Sequence, residues 1–242
     1  MDSSYSISLV GLSYFLSVAG SFMALLVNRD ALMRPDGQRR GLVALSALCL
    51  GGVGIWSMHF IGMLALKVHG LAMTYDWWMT ALSLVMGVIV VYLGLLIMSK
   101  GQFGFFKLML AGVFVGGGVA VMHYTGMLAM RMHAQIQWNQ NIIAASLGIA
   151  VTAAIAALWL AANVRHLWHM VLSALVMGVA VCGMHYTGMM AATFVSGADM
   201  STAAPTKSGP SMLVLSIIAL DFLIILLAST ASMVEANKRA AA

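Results

Sequence analysis

Seven stretches of this chain are apolar for long enough to cross the roughly 30 Å of hydrocarbon in a bilayer as helices. They run from about Ile7 to Val27, Gly41 to Leu66, Trp78 to Met98, Phe105 to Met130, Ile142 to Ala162, Trp168 to Phe194 and Ser211 to Val234. Once these are placed, only short loops remain. Composition agrees: 62% of the 242 residues are hydrophobic and 8% charged, whereas a soluble domain carries roughly a quarter charged residues. No alternating pattern suggests an outer-membrane barrel. The expected fold is all-α and polytopic: a seven-helix membrane domain over residues 1–234, then a short tail, 235–242, without an output domain.

Charge gives an orientation. Twelve Lys and Arg stand against seven Asp and Glu. They are scattered through loops and form no patch of the kind that binds nucleic acid. Arg29, Arg34, Arg39, Arg40, Lys100, Lys107, Arg165, Lys238 and Arg239 fall on one side of the spans, and only Lys67, Arg131 and Lys207 on the other. The positive-inside rule puts the first set in the cytoplasm, with the N-terminus outside and the C-terminus inside. Trp77, Trp78, Trp138, Trp159 and Trp168 lie near span ends, as an interfacial belt does. The first span lacks a basic n-region and reads as retained, not as a cleaved signal. Cys49 and Cys182 lie at different depths, too far apart for an easy disulfide.

Within this apolar frame one element recurs: Met58-His59-Phe60-Ile61-Gly62-Met63, Met122-His123-Tyr124-Thr125-Gly126-Met127 and Met184-His185-Tyr186-Thr187-Gly188-Met189. The histidines are 64 and 62 residues apart. Gly52, Gly116 and Gly178 stand seven residues before them, and Ala65, Ala129 and Ala191 six after. The repeating unit is a pair of spans, so successive copies are parallel repeats about an axis along the membrane normal. Spans 2, 4 and 6 then form a pseudo-threefold set, with a seventh span added. The three histidines share one depth, and the methionine at i+4 lies on the histidine's face, giving a second layer of Met63, Met127 and Met189.

An ionisable residue in hydrocarbon marks a functional site by default. Imidazole beside thioether suits copper, Cu(I) above all, better than magnesium or calcium. A bare histidine layer also suits zinc, and histidine or methionine can hold haem. The glycine-rich faces suggest tight packing around an ion. Tyr124, Thr125, Tyr186 and Thr187 are candidates to orient a ligand, or simply to hydrogen-bond between helices; the first copy has Phe60 and Ile61 instead. Asp221, near the middle of the seventh span, either assists a ligating histidine or is hydrogen-bonded to Ser or Thr. Cys182, one turn before His185, reads as an inert thiol. His69 and His133 are candidates for an outer capture site, and His166 and His169 form a weaker helical pair.

With MHYT verbatim at 122–125 and 184–187, and three Met-His copies on alternate spans, the chain resembles the bacterial MHYT domain over almost its whole length. The resemblance implies an inner-membrane sensory module that binds copper through motif Met, His and Tyr and detects a diatomic gas such as oxygen, carbon monoxide or nitric oxide. Carried onto this sequence, it points to Met58, His59, Met63, Met122, His123, Tyr124, Met127, Met184, His185, Tyr186 and Met189. Members often continue into a cytoplasmic cyclase, phosphodiesterase or kinase, so this chain is expected either to stand alone or to signal to such a partner, and itself to carry no enzyme. Copper handling or transport, and a haem-bearing membrane oxidoreductase, are the competing functions. A retinal receptor is disfavoured because the seventh span has no lysine for a Schiff base.

Overall fold

The computed structural model describes residues 3–68, 73–132, 134–195 and 210–241. Seven helices in it are long and apolar enough to cross a membrane. Span 1 is α1 (Ile7–Leu32). Span 2 is continuous but wound in three pieces: α2 (Asp36–Ala47), a π-helical stretch (Leu48–Ser57) and α3 (Met58–Ala65). Spans 3 to 7 are α4 (Trp77–Ser99), α5 (Phe105–Leu128), α6 (Gln140–Asn163), α7 (Leu167–Met190) and α8 (Pro210–Ala240). Large apolar side chains such as Phe105, Phe106, Leu172 and Phe222 are exposed on the outside, as lipid-facing residues should be. Small and polar ones such as Ser13, Ser17 and Ser21 lie inside.

Spans 1 to 6 form a closed ring in chain order, each packed on the next and span 1 closing on span 6. Spans 2, 4 and 6 also touch one another across the middle. Span 7 stands outside the ring, against spans 1 and 2. This addition makes span 2 the central helix: 72% of its most apolar stretch is buried, against 22–44% for the other six. The π-helical stretch contains Gly51, Gly52 and Gly54, and its backbone meets that of span 1 directly. A Cβ placed on Gly20 would lie 2.3 Å from the Gly54 nitrogen, so this crossing requires glycine.

Three two-stranded antiparallel ribbons close the end of the bundle opposite the arginine-rich one. They pair β1 (Ser3–Tyr5) with β2 (Leu66–Val68), β3 (Thr74–Tyr75) with β4 (Met130–Arg131), and β5 (Gln135–Trp138) with β6 (Ala192–Val195). Each joins the entrance of an odd span to the exit of the following even span, and this is where the repeat becomes visible in hydrogen bonds. The amides of Ser6, Asp76 and Asn139 donate to the carbonyls of Ala65, Ala129 and Ala191 at 2.9, 2.8 and 2.9 Å. All three alanines are fully buried. The alanine six residues after each histidine is thus a helix exit pressed against a neighbour's start. The ribbons also correct the expected ends of spans 4 and 6. Met130 and Phe194 are apolar because they pack in ribbons, beyond helices that end at Leu128 and Met190.

At the arginine-rich end, α8 runs past the expected Val234 to Ala240. There Glu235 pairs with Arg34, and Arg239 with buried Asp30 at 2.9 Å. Lys207 lies outside the described residues.

Candidate metal centre

His59, His123 and His185 meet on the axis of the bundle, each at most 1% exposed. The Nδ1 of His59 lies 3.0 Å from the Nδ1 of His185 and 3.0 Å from that of His123. The rings stand nearly on edge to one another, with centroids 4.6, 5.0 and 5.3 Å apart. One donor nitrogen from each ring lies within 4.8 Å of the other two, and among the described residues this is the one group of three such side chains.

A cyclic packing rule holds the rings. A Cβ on Gly126 would sit 2.3 Å from the His59 Nε2, one on Gly188 2.3 Å from the His123 Nε2, and one on Gly62 2.3 Å from the His185 Nε2. Each histidine therefore leans on the motif glycine of the next copy, and that glycine is required because any side chain would occupy the ring's place. The Nε2 atoms are buried without well-formed hydrogen bonds, that of His185 resting against the Gly62 backbone. Burying polar atoms in this way is costly. Three buried imidazoles converging on one point, whose Nδ1 atoms otherwise can only share protons among themselves, suit a cation. Two imidazoles on a tetrahedral ion with bonds of ~2.05 Å are ~3.3 Å apart at nitrogen, close to the spacing present.

The remaining sequence candidates divide. Met63, Met127 and Met189, and the preceding Met58, Met122 and Met184, are all buried in the core. The tyrosine rings stand edge-on to their own motif histidines, with centroids 4.9 and 4.7 Å apart, and send their hydroxyls to the odd spans. Tyr124 Oη is 2.7 Å from Ser146 Oγ of span 5, and Tyr186 Oη is 2.9 Å from Ser13 Oγ of span 1. In the first copy Phe60 has no hydroxyl, and Trp56 supplies the equivalent bond: its indole N–H donates to Ser83 Oγ of span 3 at 3.0 Å. The tyrosines thus make interhelical bonds, and the departure MHFI is compensated one turn earlier.

Asp221 is not among the convergent groups. Its Oδ1 accepts from Ser57 Oγ at 2.6 Å, so of the two roles read from sequence the structure shows the hydrogen bond to serine. The glycines seven before each histidine, expected beside the site, serve other contacts. Gly116 faces the span 5 backbone at Val151, Gly178 faces Val18 and Tyr14 of span 1, and Gly52 faces Ile224 of span 7. Cys182 is half-buried, and both cysteines are free. His166 and His169 have ring centroids 5.6 Å apart but no third ligand among the described residues. His69 and His133 lie outside those residues.

The sequence reading missed the serines. Ser13, Ser83 and Ser146 each stand seven residues after a helix-start residue (Ser6, Asp76, Asn139), and each bonds back to the carbonyl three residues earlier. They precede the motif histidines by 46, 40 and 39 residues. An alignment anchored on histidine puts them out of phase; one anchored on the odd spans brings them together.

Comparison with known proteins agrees with this repeat. The family model MHYT, described as a bacterial signalling protein N terminal repeat, matches at residues 52–111, 116–174 and 178–241. Each match begins within a residue of where Gly52, Gly116 and Gly178 stand. The chain is 38% identical over 211 residues to the bifunctional diguanylate cyclase/cyclic di-GMP phosphodiesterase MucR of Pseudomonas aeruginosa, covering 83% of this chain and 30% of that protein. It is 35% identical to the cyclic di-GMP phosphodiesterase NbdA of the same organism, over 77% of this chain and 24% of the relative. To the signaling protein YkoW of Bacillus subtilis it is 29% identical, over 78% and 24%. The chain therefore spans under a third of the length of these relatives. No solved structure matches. With three matched repeats covering most of its length, each carrying one histidine of the buried triad, the chain belongs to the MHYT family of bacterial signalling proteins.

Proposed function

We propose that this chain is a sensory module of the bacterial inner membrane in which His59, His123 and His185 hold a single metal ion, copper in preference to zinc. Met63, Met127 and Met189 are the further candidate ligands, one turn beyond the histidines. The observation that carries the reading is the convergence of three buried Nδ1 atoms with 3.0 Å spacings. Ring centroids 4.6–5.3 Å apart favour an ion over a haem, since a porphyrin would have to part the rings. When bound, copper would supply a coordination position for a diatomic gas such as oxygen, carbon monoxide or nitric oxide.

The protein's own part is to hold the imidazoles in one layer, exclude water from them and link span 2 to span 7. Ser57, two residues before His59, donates to Asp221 of α8, and α8 runs on to the arginine-rich end at Ala240. The relatives are named for cyclic di-GMP synthesis and hydrolysis. A movement of α8 passed to a cytoplasmic output of that kind is the signalling step. The arginine-rich end is then cytoplasmic and the ribbon end periplasmic.

Elemental analysis of detergent-purified protein tests this beside a variant with His59, His123 and His185 replaced by alanine. Near-stoichiometric copper in the parent and its loss in the variant are expected; equal metal in both overturns the site.

A further inference from the structure

A cavity of about 40 Å³ lies next to the triad, toward the arginine-rich end. Three of its walls are equivalent positions of the repeat: Ile55, Val119 and Val181 each stand four residues before a motif histidine. One turn of helix, ~6 Å, separates them from the imidazoles, and Met184, the residue before His185, also lines the cavity. Every lining side chain is aliphatic or methionine. A volume above the ~10–15 Å³ that one water needs, with no polar side chain to hold a water, describes a dry cavity of the kind that takes up xenon or other small apolar molecules.

The cavity is also lopsided. Ala153, Ala157 and Ala180, half-buried residues of spans 5 and 6, form its side toward lipid. Short side chains in two adjacent spans leave a lateral gap there, and a second surface groove follows the same two spans past Ala153 and Ala180. An apolar solute partitions into hydrocarbon, so the bilayer itself would deliver it to this gap without passage through water.

We infer that this cavity is a second binding site, a chamber for an apolar molecule of two or three heavy atoms that enters from the bilayer between spans 5 and 6 and rests one helical turn from the histidines. Occupancy needs no metal. Its use as the waiting place for the sensed ligand rests on the sensory reading above.

Xenon is the probe. With ¹³C-methyl methionine labelling, the Met177 and Met184 resonances should shift saturably with xenon pressure, while the exposed Met190 follows only the linear drift of xenon dissolved in lipid. The same saturable shifts are expected after chelator treatment, which separates this site from the metal. Ala154→Leu, on the chamber wall, should lower the apparent xenon affinity at least tenfold with the Met190 response unchanged. Ala150→Leu on the same wall serves if the first variant does not fold. Purely linear shifts at Met177 and Met184 in the parent protein overturn the chamber, as do saturable shifts that survive the filling substitution. Equal metal in the parent protein and the triple-alanine variant would overturn the metal reading alone.

Discussion

The first and third copies of the motif present the same face to the axis and different faces to the rest of the protein. Inward, His59 and His185 have the same neighbours: the other two motif rings and the motif glycine of the next copy. Outward, the third copy bonds span 1 through Tyr186, whereas the first bonds span 3 through Trp56 and carries Phe60 and Ile61 in place of tyrosine and threonine. Among the described residues the first copy packs on span 7, at Ser57 with Asp221 and at Gly52 with Ile224. Repetition is therefore strict where three chains of atoms must meet and loose where each helix meets its own surroundings. The copy that departs most from the repeat is the one wired to the helix outside the ring.

The largest effect is expected where the first copy differs in backbone. Gly20 touches the π-helical stretch through main-chain atoms on both sides, 2.3 Å from where its Cβ would be. The corresponding positions of spans 3 and 5 are Val90 and Ala153. Gly20→Ala should cost at or above the upper end of the ~1–3 kcal/mol typical of overpacking, because no side chain can move aside. Thermal unfolding in detergent measures it, and a cost below that of the motif glycines would show that the π-helical stretch yields.

The three motif glycines come next, and they test the sameness of the inner face. Gly62→Ala, Gly126→Ala and Gly188→Ala each place a Cβ 2.3 Å from a buried imidazole nitrogen. Each should cost about 1–3 kcal/mol and displace a different ring, with parallel losses of bound metal. Equal effects support threefold equivalence. A markedly milder Gly62→Ala would mean that the first copy has drifted on its inner face too.

A smaller effect separates the outer faces. Tyr124→Phe and Tyr186→Phe remove one interhelical hydrogen bond each and should cost about 0.5–1.5 kcal/mol, since the serine keeps its bond to its own helix. Phe60→Tyr should also destabilise, although it restores the motif. Phe60 is fully buried and Ser83 is already taken by Trp56, so the new hydroxyl costs about 1–3 kcal/mol unpaired. A stabilised Phe60→Tyr protein would refute the compensation by Trp56.

What could be read in advance follows the same division. The seven spans, the two-span period and the common depth of His59, His123 and His185 are properties of one helix at a time or of exact repetition, and they were legible. The direction of Tyr124 and Tyr186 was not, because a hydroxyl's partner depends on which odd span closes the ring, and span 1 rather than span 7 packs on span 6. Trp56 escaped because it stands one turn before the position it serves. Ribbons of two to four residues, such as Thr74–Tyr75, are too short to show alternation. The winding of Leu48–Ser57 leaves only its glycines as a trace.

The smallest effect separates the three ribbons. Their helix-start residues are Ser6, Asp76 and Asn139, and only the second can titrate. The Asp76 carboxylate accepts from the Met79 amide at 3.0 Å and from Arg131 at 2.9 Å, and these bonds, the amide foremost, hold its pKa below the usual carboxylate value. A lowered folded pKa means that its contribution is complete above the unfolded value near ~3.9 and is lost as pH falls through the folded one. The pair is partly exposed, so the shift in thermal midpoint should be on the order of 1–2 °C. Asp76→Asn should remove that part of the acid response while keeping the cap, as Asn139 does with the amides of Asn141 and Ile142. If the variant and parent lose stability in parallel as the pH is lowered from about 4 through the acid range below it, the ribbon at the second copy owes nothing to its charge, and the three ribbons are equivalent in spite of their sequences.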